Sequence, residues 1–222
     1  MRFIKHILTA LSLTMVALCA SANPANPVNG VDFKTLDKPQ QTDSGKKVEV
    51  LEFFWYACPH CRAFDPALAD WVKKQGNNIV FKRVPVAFRE SFVPQQKMYY
   101  ALEAMGVGEQ LHPKLFNVVQ VEHQPLDTDD KVLDYITKAG IDKKKFQELY
   151  NSFSVQTKVR RATQMQAAYM IDGVPTIAVA GHYVTSPSII AEGSGNAPEP
   201  VLHDSTLKVM NFLVAKAAKE AK

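Results

Sequence analysis

Cysteine is scarce in this chain. Only Cys19, Cys58 and Cys61 occur among 222 residues. So few thiols exclude the disulfide-dense scaffolds typical of small secreted domains. They also argue against structural zinc, which takes four ligands and is often held by two cysteine pairs. His112, His123, His182 and His203 do not supply the missing ligands, because they are scattered without metal-ligand spacing. A strong excess of charge is lacking too. The formal net charge is +4, and the one basic block, Lys143 to Lys145, reads as the solvated start of a helix. That excludes the electrostatic footprint of a nucleic-acid binder. Residues 7–20 carry no charge, but they fall short of the roughly 20 apolar residues that a membrane span needs. No internal repeat or low-complexity tract is found.

The start of the chain has the pattern of an export signal. Arg2 and Lys5 precede the uncharged stretch, and Ala20-Ser21-Ala22 closes it with small residues. A positive start, a short apolar core and an A-x-A exit together predict a secretory signal peptide over residues 1–22, cleaved after Ala22. Leu18 stands before Cys19, where a lipid-attachment signal usually has a small residue. The 200 residues that remain carry +2, since the leader takes Arg2 and Lys5 with it. They are long enough to bury a core without covalent staples.

The pattern beyond residue 22 alternates strand and helix before turning wholly helical. Residues 23–45 hold a Pro- and Asn-rich leader, residues 23–30, and a short edge strand within residues 31–39 that Pro39 stops. Over residues 48–54 both alternating faces are mostly apolar, which predicts a strand inside a sheet. Phe64, Leu68, Trp71 and Val72 recur at helical spacing after it, and Pro66 is expected to kink that helix. Another strand follows over residues 79–86. Residues 89–170 read as an all-helical insertion of four or five helices, one carrying the stripe Phe146, Leu149, Tyr150 and Phe153. Strand character returns on both sides of Gly181. A loop is expected over 192–200, then a closing helix capped by Asp204 or Ser205. The expected fold is α/β, with residues 46–88 and 171–222 forming one sheet domain around the insertion.

Cys58 and Cys61 lie where the first strong strand meets its helix. A disulfide between them would close so short a loop that it would constrain little of the unfolded chain. A reactive dithiol is the better reading. Pro59 suits the first helical position. Free backbone N–H groups and the helix dipole then converge on Cys58 and favour its thiolate. His60 adds a hydrogen bond or a positive charge. Cys58 is therefore expected to be the exposed, attacking sulfur, and Cys61, one turn on, the buried resolving one.

The stretch "VLEFFWYACPHC", residues 50–61, resembles the active site of the DsbA family, bacterial periplasmic thiol oxidases of the thioredoxin superfamily. "GVPT", residues 173–176, is similar to that family's cis-proline loop. "FKTLDKP" near the start and the helical insertion fit as well, so the resemblance spans the chain beyond the leader. Pro66 instead looks like the kink proline of thioredoxin itself. The resemblance implies a thioredoxin-like fold with an inserted helical domain. It implies that Cys58 attacks, Cys61 resolves, and Pro59 and His60 tune the pair. Pro175 would be the cis-proline, with the Val174 backbone pairing with an extended substrate and Thr176 modulating that contact. The implied activity is oxidation of cysteine pairs in exported proteins, with reoxidation by a DsbB-type membrane quinone reductase. No metal or organic cofactor and no oligomeric partner is implied, so a periplasmic monomer is expected. A reductase or isomerase of the same superfamily is the alternative.

Two charged residues sit at unusual places. Glu52 shares a strand face with Val48, Val50 and Phe54, and Lys82 shares one with Val80 and Val84. A buried charge needs a partner, so the two are expected to meet. The resemblance to the DsbA family implies that such a pair lies beneath the dithiol and assists proton transfer at the buried cysteine. Otherwise both heads snorkel to water at an edge. The other histidines read as surface or loop residues. Met165, Tyr169 and Met170 read as helix core or as an apolar substrate surface.

Overall fold

The computed structural model describes residues 26–195 and 197–220. The export signal, its cleavage after Ala22 and Cys19 lie outside the described residues.

Strand β2, Val48–Phe54, is buried at all seven positions. It earns that place because both its faces are covered. Val48 and Val50 pack with Phe64, Leu68 and Trp71 of helix α1 (Pro59–Gln75) and with Val209, Met210 and Leu213 of helix α8 (Glu199–Glu220). Leu51 and Phe53 face a second core, filled by Met98, Leu102, Phe116, Ile136, Phe146 and Ala162. Burying each such side chain is worth about 1.5–3 kcal/mol, so β2 anchors both halves of the molecule.

The sheet has five strands in the order β1-β5-β4-β2-β3. Strand β3 (Ile79–Pro85) runs parallel to β2, and the crossover between them is α1. Strand β4 (Thr176–Val179) is antiparallel to β2 and to β5 (Tyr183–Thr185). Strand β1, Lys34–Thr35, is the short edge strand against β5. The β4–β5 turn brings Gly181, at φ +71°, against the Gln40 carbonyl, where a side chain would collide.

Between β3 and β4 the chain forms five helices: α2 (Val93–Ala104), α3 (Gly108–Gln120), α4 (Asp129–Lys138), α5 (Lys143–Tyr150) and α6 (Phe153–Ala168). Side-chain caps set the starts of α4, α5 and α6. Thr128 accepts from the Lys131 N–H, Asp142 from Lys145 and Ser152 from Val155, each cap being worth about 1 kcal/mol.

Some expectations need correction. Ser152 starts a new helix, so the stripe of Phe146 and Tyr150 does not continue to Phe153, which is 77% exposed. The expected loop at 192–200 overlaps a helix, α7 (Pro187–Ser194), started by Ser186 accepting from the Ile189 N–H. Helix α8 begins at Glu199, so neither Asp204 nor Ser205 caps it.

Candidate active site

Cys58 is the N-cap of α1, and Pro59 is its first residue. Proline costs nothing there, because the first N–H groups of a helix have no intrahelical partner. The Cys61 N–H donates to Cys58 Sγ at 3.3 Å, so the cap is a sulfur. Both cysteines are free thiols. Hydrogen bonding from the Cys61 thiol pulls the Cys58 pKa down to about 7, helped by the Cys61 and His60 N–H groups and the His60 charge, while burial opposes it. Burial and the neighbouring Cys58 and Glu52 push the Cys61 thiol well up.

The expected exposure of Cys58 is corrected: it is only 5% exposed, against 0% for Cys61. The cover comes from the loop before β4. Its Val174–Pro175 peptide bond is cis. The Cys58 thiol donates to the Val174 carbonyl at 3.3 Å. Thr176 turns its hydroxyl to the Gly173 carbonyl at 2.8 Å, so its side chain shapes the loop from inside. Next to this loop, Tyr169 is buried and Met170 is 66% exposed.

The expected Glu52–Lys82 contact does not form. The parallel register sets Glu52 opposite Arg83 and Leu51 opposite Lys82. Side chains alternate with a period of two, so Lys82 lies on the other face, 2.7 Å from Glu49 Oε2, and also contacts Asp43. Glu52 Oε2 accepts instead from Arg83 Nε at 2.9 Å, with both groups buried. Arg83 also reaches Asp65 Oδ1 at 3.2 Å and the exposed Glu109 Oε2 at 2.5 Å. Burial raises the Glu52 pKa to about 7 against the opposing Arg83 charge.

Two further contributors were not foreseen. His112 is 1% exposed, not a surface residue. Its Nδ1 is 3.0 Å from the Tyr56 hydroxyl and its Nε2 is 3.3 Å from Asp65 Oδ1. The signal was present: His112 recurs with Leu115, Phe116 and Val119 on one helical face. Gln120, at the end of α3, donates from Nε2 to the carbonyls of Tyr56 at 2.8 Å and Cys58 at 2.9 Å. Nothing in its local sequence marks it. His60 is exposed, and its Nδ1 lies 2.7 Å from Glu199 Oε1.

Glu52 gives a testable pH dependence. Its folded pKa is raised, so its stabilising contribution is complete below the ordinary carboxylate value and is lost as pH rises through about 7. At 1.36 kcal/mol per pKa unit, the change is about 3 kcal/mol. Urea denaturation of the reduced chain and of Glu52→Gln from pH 4 to 8 should show the wild type losing stability relative to the variant. A pH-independent difference would contradict this.

A pair of thiols at the N-terminus of a sheet-flanking helix, facing a cis-proline loop, defines a thioredoxin-like thiol:disulfide oxidoreductase carrying a helical insertion. Residues 81–205 match the model of the DSBA-like thioredoxin domain. The chain is 45% identical to the thiol:disulfide interchange protein DsbA of Burkholderia cepacia, over 92% of each chain. It is 35% identical to that of Pseudomonas aeruginosa PAO1, over 97% of this chain and 98% of the other. A crystal structure of Pseudomonas aeruginosa DsbA superposes with a TM-score of 0.77 at 32% identity, covering 86% of this chain and 95% of that one. The chain belongs to the DsbA family.

Proposed function

We propose that this protein oxidises cysteine pairs of exported proteins in the periplasm and is itself reoxidised by a DsbB-type membrane quinone reductase. The observation that carries the reading is the geometry of the pair: Cys58 Sγ caps α1, 3.3 Å from the Cys61 nitrogen and 3.3 Å from the Val174 carbonyl of the cis-proline loop, while Cys61 is fully buried. In the oxidised protein, a substrate thiolate attacks Cys58 Sγ. The Cys58–Cys61 bond breaks, and Cys61 leaves and takes up a proton. Glu52, buried with a pKa near neutrality and held in place by Arg83, is suited to supply it. A second substrate thiolate then attacks the substrate sulfur of the mixed disulfide. Cys58 leaves as its thiolate, and two electrons have passed from substrate to protein.

The other residues serve these steps. Pro59 starts the helix that stabilises the leaving Cys58 thiolate, and His60 adds positive charge beside it. The Val174 backbone and Pro175 form the edge along which an extended substrate pairs, as an added strand would. Thr176 maintains that edge by its bond within the loop. Lys82 is removed from the proton-transfer role, which stays with Glu52, and Arg83 holds the Glu52 carboxylate in place. The leader, Arg2 to Ala22, is the export signal in this reading.

Equilibration with glutathione tests the direction of transfer. Stabilising the reduced form by its thiolate makes the disulfide oxidising. The expected potential lies well above the roughly −270 mV of thioredoxin. A value at or below thioredoxin's would favour a reductase.

A further inference from the structure

We propose that Glu199 is a positioning residue of the dithiol centre: it binds His60 at Nδ1, fixes the imidazole in place and supplies the counter-charge for its cationic form. The inference rests on the dithiol reading above and extends it to a residue 139 positions away in the chain.

His60 lies in the first turn of α1, and its side chain is 68% exposed. An imidazole so open to solvent has no packing to choose its rotamer. Among the described residues, the one polar contact that orients it is Glu199 Oε1, at 2.7 Å from Nδ1. That contact makes Nδ1 a donor and leaves Nε2 to carry the second proton of the imidazolium.

Glu199 is itself well supported. It is the first residue of α8, where the helix dipole favours a carboxylate. Prolines 198 and 200 flank it, and their fixed φ angles restrict the backbone there. The Val201 and Leu202 N–H groups bond back to the Pro198 carbonyl at 2.9 and 3.1 Å, which closes the first turn. A stiff helix start therefore presents the carboxylate to the catalytic turn.

The charged groups around His60 are few. Cys58 faces it from its own element; Glu199 and His203 face it from α8. His203 Nε2 lies 3.7 Å from the same Glu199 oxygen, but His203 is 8% exposed and packs on Phe64. Burial lowers its pKa and keeps it neutral. The Glu199 charge is thus directed at His60. The Glu199 hydrogen bond in turn raises the His60 pKa, and the His60 charge lowers that of Cys58. Glu199 acts on the sulfur through a histidine.

The test uses the reduced mature chain and its Glu199→Gln, His60→Asn and double variants. Imidazole proton resonances report His60, thiolate absorbance reports Cys58, and glutathione equilibration reports the couple. Glu199→Gln should lower the His60 pKa and raise the Cys58 pKa. It should shift the equilibrium roughly threefold toward the disulfide, the scale of a partly exposed ion pair. With Asn at position 60 the same change should have no effect on Cys58. An unchanged or lowered Cys58 pKa would overturn the proposal, as would an equal shift in both backgrounds. A wild type that does not exchange with glutathione would instead overturn the dithiol reading itself.

Discussion

Cys58→Ser is expected to abolish disulfide transfer. Cys61 cannot take over, because it is fully buried and its thiol is pushed well up. No intramolecular disulfide can form in the variant, so there is nothing for a substrate thiolate to attack. The loss should be on the order of 10³-fold or more, which corresponds to about 4 kcal/mol at 1.36 kcal/mol per tenfold. The variant should fold, since a serine hydroxyl is a good N-cap. Cys61→Ser should behave differently. Its Cys58 keeps a stabilised thiolate but has no resolving partner. When it attacks an added disulfide-bonded substrate and displaces one of that substrate's thiolates, the mixed disulfides should accumulate and be visible on a non-reducing gel. Transfer by Cys58→Ser at the wild-type rate, measured with a reduced two-cysteine substrate, would refute the assignment.

The second large effect is expected from Arg83→Met. The guanidinium lies among Glu52, Asp65 and Glu109, and its side chain is 4% exposed. Removing one partner of a buried ion cluster leaves uncompensated charge, which costs about 3–5 kcal/mol. Glu52 relieves part of this by keeping its proton, because its pKa is already raised to about 7. Asp65 has less relief: burial would raise its pKa, but His112 and Arg83 hold it low. For a chain of this size the melting temperature should fall by on the order of 10 °C. A loss below about 1 kcal/mol in urea denaturation would show that the cluster relaxes or admits water. Lys82→Met should cost much less, since its side chain is 38% exposed.

The difference between Arg83 and Lys82 shows where sequence reading ends. Periodicity correctly put Glu52 on an apolar face. It could not supply the register between two strands, and a shift of one residue exchanges the faces. Local chemistry was legible: the strand before Cys58, proline at the first helical position, and the pattern around Pro175. The missing residues are those whose role depends on packing over long separations. Gln120 reaches the catalytic loop from the insertion, and Glu199 does so from a segment where Gly, Asn and Pro suggested only a loop. The Phe146-to-Phe153 stripe failed for a local reason. Its spacing was helical, but Ser152 interrupts it with a cap.

The sulfur that caps α1 has a consequence for the energetics of turnover. In the reduced chain Cys58 presents a partly anionic sulfur to the Cys61 N–H and the positive helix end. In the disulfide that sulfur is covalently engaged and uncharged. Reduction therefore completes a helix terminus, and oxidation weakens it. Donating a disulfide restores this cap. Part of the driving force for oxidising a client is then folding free energy held in the first turn of one helix. Re-forming the Cys58–Cys61 bond then does work against the fold each time the pair is reset.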